Sequence, residues 1–115
     1  MDISKITRFL PEAELSELRP CTAPGKIQFH LLVARRKDMA TKIINVLKLA
    51  DILSESRKFS EVKSSAELGV VKAVYSGAEI SALASGRVVV KKCADERKAQ
   101  ELLEELAPML KKALF

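Results

Sequence analysis

The side chains best suited to chemistry in this chain are cations. Lys72, Arg87 and Lys91 recur at strand spacing in the second half, and Arg35-Arg36-Lys37 form a consecutive basic triplet. Groups of this kind hold phosphates or carboxylates by charge and hydrogen bonding, and the triplet supplies three candidate phosphate contacts. Catalysis needs a partnered nucleophile, acid or base, and none is visible. His30 is the only histidine; with no carboxylate or cysteine at ligand spacing it reads as an ordinary sheet residue. Cys21 and Cys93 stand far apart with no second ligand cluster beside either, so neither reads as a metal ligand; two free thiols are the expectation, a disulfide between them being the alternative that a reducing compartment disfavours. Ser64, Ser65 and Ser85 belong to loop and turn contexts. No nucleophile–base pair, carboxylate pair, phosphate loop or metal cluster stands out. No catalytic residue, metal or cofactor is expected, and the expectation is a protein that is not an enzyme.

The elements that must position these cations follow from two periodicities. Ala78, Ile80 and Ala82 alternate with Glu79, Ser81 and Leu83; after a Ser85-Gly86 turn, Val88 and Val90 alternate with Arg87, Val89 and Lys91. Alternation at period two is the mark of strands with one buried face. Asp95 then suits a helix N-cap, and Ala99, Leu103, Leu106 and Leu110 fall on one helical stripe, with Pro108 expected to kink or break the helix. Upstream, Lys26 to Ala34 reads as a first strand with Ile27, Phe29, Leu31 and Val33 facing a core. A helix capped by Asp38 is expected from there to about Glu55, and Gly69 to Tyr75 reads as a further strand. Residues 57–68 leave strand and loop both open. Residues 1–25 read as a helical arm and loop, with Pro11 at a first helical position.

The stretch SGRVVVKKCADERKAQELLEELAPMLKK resembles the end of one repeat of the TATA-binding-protein family: a Ser-Gly-Arg turn, a Val-rich strand, a long helix and a late proline followed by an apolar pair. The resemblance implies an α+β fold of order β-α-β-β-β-α, a four-stranded antiparallel sheet with two helices on one face, in a single domain 1–115. Residues 1–25 would be the N-terminal helical segment and 26–115 the TATA-binding-protein-like core. It also implies that the free sheet face is the working surface. In that family paired phenylalanines on this face wedge between base steps. Here Leu83 stands at one wedge position and Glu67 falls near the other, so the wedges are missing and bending of a specific DNA element is not implied.

In such a sheet the free face presents Gln28, His30, Leu32, Val70, Lys72, Val74, Leu83, Arg87, Val89 and Lys91, with Glu79 and Ser81 among them. Leu32, Val70, Val74, Leu83 and Val89 exposed together would form an apolar patch that calls for a partner. The 115 residues suit one core; 48% are hydrophobic, 4% aromatic and 30% charged, and the formal net charge is +5. No apolar run reaches the roughly 20 residues of a membrane helix and the start lacks the apolar core of a signal peptide, so the cytoplasm is the expected compartment, with no membrane partner. The leading functional expectation is a small non-enzymatic binding module whose free sheet face meets another protein or a second copy, as a homodimer. Self-association, or cover by residues 1–18, would bury the aliphatics. Weak nucleic-acid binding without sequence preference is the alternative, and a small-molecule-binding or regulatory domain the second alternative.

Overall fold

Five strands, four of them with alternating burial over most of their length, make the body of the computed structural model, which describes residues 1–35, 38 and 40–115. They are β3 (Ile27–Leu32), β4 (Ser60–Ser65), β5 (Val70–Tyr75), β6 (Ala78–Leu83) and β7 (Arg87–Cys93). Two short strands, β1 (Glu14–Leu15) and β2 (Arg19–Pro20), precede them, and the described residues also form the helices α1 (Ser4–Thr7), α2 (Val46–Glu55) and α3 (Glu96–Lys112). All pairings are antiparallel, and the strands lie in the order β3-β7-β6-β5-β4, with β1 and β2 both on the outer edge of β3.

The α+β class, the antiparallel sheet and the helices on one face agree with the sequence reading. The strand count does not. Seven strands replace the expected four, because residues 60–65 add an edge strand beside β5 and residues 14–20 add two short ones beside β3. The signal for β4 was weak for a physical reason. It is an edge strand whose side chains are mostly exposed, and an extra residue at Glu61 (φ 50°) bulges the strand and breaks its alternation.

A single core lies between the sheet and the helices. Phe29, Leu31, Val71, Ala73, Ile80, Ala82, Val88 and Val90 supply its floor, and Leu49, Leu53, Leu102, Leu103, Leu106 and Leu110 its roof. Full burial of aliphatic side chains of this size contributes roughly 1.5–3 kcal/mol each, so this layer is what holds the sheet against α2 and α3. Helix α3 starts at Asp95, whose carboxylate accepts from the Lys98 amide at 2.8 Å. It then runs on through Pro108 to Lys112 without ending. Proline removes one intrahelical bond there, but buried Leu110 and Ala113 pin the last turn to the core.

Two expectations for the first half are corrected. The helix expected from Asp38 begins only at Val46, capped by the Asn45 side chain, which accepts from the Lys48 amide. The carboxylate of Asp38 instead accepts from the Ala40 and Thr41 amides, closing a turn. Residues 43 and 44 are drawn into a tertiary junction: both amides donate to the Ala84 carbonyl, and Ile44 pairs with Leu114. The β-branched pair has little helix preference to set against those bonds. The N-terminal arm is helical only at Ser4–Thr7, and Pro11 lies in a turn beyond that helix. Residues 1–10 lie along α3, where Met1 reaches Glu96, Asp2 and Gln100 exchange hydrogen bonds, and Ile6 and Leu10 enter the core. Residues 1–18 therefore do not cover the free sheet face. Among the described residues no helix is long and apolar enough to cross a membrane.

Candidate binding face of the sheet

Strand register decides which side chains share the uncovered face. Cross-strand partners in an antiparallel sheet point to the same side. One row therefore runs across all five strands: His30 opposite Val89, Val89 opposite Ser81, Ser81 opposite Lys72, and Lys72 opposite Lys63. A neighbouring row holds Lys91, Glu79, Val74 and Ser60, and another holds Leu32 with Arg87, and Leu83 with Val70 and Ser65. The residues between them, such as Val88, Val90, Ile80 and Val71, go into the core. Leu32, Val70, Val74, Leu83 and Val89 belong neither to that core nor to the partly buried residues packed against it. Both long helices therefore lie behind the sheet, and this face carries none.

The structure brings the sequence-derived candidates Leu32, Val70, Lys72, Val74, Leu83, Arg87, Val89 and Lys91 together on this face, with His30 beside them. Gln28 sits at its outer edge, where β3 pairs with Arg19 of β2 and the Gln28 side chain donates to the Pro20 carbonyl. The expected apolar patch differs in one respect. Its five aliphatic residues are half-buried, while His30, Lys72, Arg87 and Lys91 around them are exposed.

Charge is distributed unevenly on this surface. Glu79 is held by Lys92 at 2.6 Å, and Glu14 by Arg35 at 2.6 Å. Lys92 lies near Glu79 because β7 carries an extra residue opposite the Ile27–Phe29 step, with Lys92 at φ 57°. The hydrogen bond from Lys92, the charges of Lys92, Lys91 and Lys72 hold the Glu79 carboxyl below its usual range, and Glu79 in turn raises Lys92. Lys63, Lys72, Arg87 and Lys91 form no ion pair among the described residues. On the helix side Glu101, Glu104 and Glu105 line α3 and pair with Lys98, Lys5 and Lys58, while Arg97, Lys111 and Lys112 of the same helix form no ion pair among the described residues.

Lys63 and Lys92 are the residues that sequence reasoning missed. Lys63 was hidden with its strand, and Lys92 by the assumption of unbroken alternation through β7. Of the three candidate phosphate contacts, Arg35 is engaged by Glu14, and Arg36 and Lys37 lie outside the described residues. At the β3 edge, two shallow clefts of about 250 and 270 Å³ flank His30 and Ser16, bordered by Arg19 and Glu17 on one side and by Glu14 and Arg87 on the other. The Ser16 hydroxyl accepts from the His30 amide at 2.8 Å, so this serine serves the strand edge. Cys93 is buried, which raises its thiol; Cys21, half-buried, is lowered chiefly by the Ala23 amide. No group of three His, Cys, Asp or Glu residues is placed to hold a metal ion among the described residues.

Compared with known proteins, the chain gives no match to a family model, to a curated protein or to a solved structure.

Proposed function

We propose that this chain is a non-enzymatic binding module of TATA-binding-protein-like architecture that works through the open face of its sheet. Element order supports the architectural part: a strand, a helix, a run of antiparallel strands and a long helix, with both long helices behind the sheet. One observation carries the functional part. On the face without helices Lys63, Lys72, Arg87 and Lys91 form no ion pair among the described residues, and Glu14 and Glu79, which register places there, are each neutralised by a cation. A surface that only keeps a protein soluble intersperses its charges. Here Lys63, Lys72, Arg87 and Lys91 stand within a few residues of one another on the side the fold leaves bare, while the carboxylates among them are compensated.

A second copy docked face to face fits this surface poorly. It would bring Lys63, Lys72, Arg87 and Lys91 of one chain against like charges of the other, which costs several kcal/mol in a desolvated contact. Binding of an anionic partner is the reading the charges favour. Nucleic acid is the second reading, since unpaired cations on a sheet attract any polyanion. Leu83 and Glu67 in place of aromatic wedges put it at weak, salt-sensitive and sequence-indifferent binding.

The test is a backbone-amide chemical-shift titration with heparin as a generic polyanion at low salt. Shifts are expected to collect at Lys63, Val70, Lys72, Arg87, Val89 and Lys91. Shifts centred on α2 or α3, or no shifts at low salt, would overturn the assignment of this face.

A further inference from the structure

Lys63 and Lys72 are direct cross-strand partners on an uncovered face, with no carboxylate ion-paired to either among the described residues. Like charges opposite one another in a sheet are destabilising, so this pair is a position where an incoming anion relieves a cost the fold itself carries. The neighbourhood says what kind of anion. Next to Lys72 in its row stands Ser81, then Val89; along β5, Lys72 is flanked by Val70 and Val74, and along β7, Val89 is flanked by Arg87 and Lys91. Neighbours across strands are about 4.8 Å apart and same-face neighbours along a strand about 6.7 Å. Lys72, Arg87 and Lys91 therefore each have a half-buried aliphatic side chain within one lattice step, while Lys63 has Lys72 and Ser65.

A phosphodiester backbone laid on this lattice puts charge against Val70, Val74 and Val89 and finds no Phe, Tyr or Trp ring on which to stack a base, only the imidazole of His30 at one end of the row. It also meets Glu79 in the middle of the face. A polypeptide that alternates carboxylates with aliphatic side chains matches both sets of sites at once and leaves room beside Glu79. We infer, resting on the reading of the open face as the binding surface, that the partner is an acidic amphipathic segment of another protein. Its carboxylates sit at the Lys63–Lys72 pair, Arg87 and Lys91, and its aliphatic side chains cover Val89 and Val70.

Fluorescence anisotropy with three probes of equal charge tests this: a labelled peptide alternating Glu and Leu, a labelled all-Glu peptide, and a labelled DNA oligonucleotide. For the full chain the Glu-Leu peptide is expected to bind about ten-fold more tightly than the all-Glu peptide, the value of burying one or two aliphatic groups. It should also bind more tightly than DNA. Lys63→Glu with Lys72→Glu is expected to weaken the Glu-Leu peptide at least ten-fold, and Lys91→Glu, on another strand, to act in the same direction. Tighter binding of DNA than of either peptide would overturn the inference while upholding the face. Equal binding of the two peptides would reduce it to charge alone and so overturn the amphipathic partner. Binding that neither Lys63→Glu with Lys72→Glu nor Lys91→Glu alters, or no binding by any probe, would remove the proposed function together with the inference.

Discussion

Lys92 Nζ lies 2.6 Å from Glu79 Oε1, although the residue opposite Glu79 across the strands is Lys91. The bulge in β7 lets Lys92 neutralise the carboxylate and leaves Lys91 without an ion pair among the described residues. A regular strand would have offered Glu79 to Lys91 and left the face with one cation fewer.

Replacing Glu79 by Gln therefore has two expected effects. Binding of an acidic probe should tighten about two- to three-fold at low salt and converge with wild type at high salt, because the added attraction is screened. Stability should fall slightly at neutral pH and match wild type in acid. The folded Glu79 carboxyl is lowered, so its contribution is present above the ordinary carboxylate pKa and lost as pH falls. Urea midpoints of both proteins at neutral and acidic pH measure this. A difference that grows in acid would contradict it.

Tyr75 is the only tyrosine, and there is no tryptophan, so its ionisation is read without interference. Burial, followed by its hydrogen bond to Glu101 at 3.2 Å, pushes the phenol up to about 12. A group raised in the folded state stabilises the fold below its unfolded pKa. That contribution is lost as pH rises from about 10 toward 12. Tyrosinate absorbance should thus titrate near 12 in the folded protein and near 10 in urea. Tyr75→Phe should abolish the signal, and a folded-state midpoint at 10 would place the phenol in water.

Gly86 has φ 98°, and a Cβ there would lie 3.2 Å from the Ile43 Cβ. Gly77 has φ 85° with open space around it. Gly86→Ala is accordingly expected to cost roughly 2–3 kcal/mol, from strain and collision together, and Gly77→Ala about 1 kcal/mol from strain alone. Chemical denaturation of the two variants ranks them; equal losses would mean that Ile43 yields without cost.

The identity of the strands β5, β6 and β7 and the buried stripe of α3 were legible in the sequence, because period-two and period-3.6 patterns report burial directly. So were most of the open-face residues, since they are the other half of the same alternation. The start of α2 was not. The expected helix ran through residues 43 and 44, and the Ala84 carbonyl and Leu114 draw them out of it.

By itself the sequence determined the class of the fold, the core positions and the positive excess, all properties of local pattern and composition. Tertiary structure alone decided where that charge is left unpaired. Lys63 reaches the face only because β4 finds an edge on β5, and Lys91 stays unpaired only because a bulge turns Lys92 toward Glu79. Both depend on register between strands, a long-range property that no run of neighbouring residues encodes.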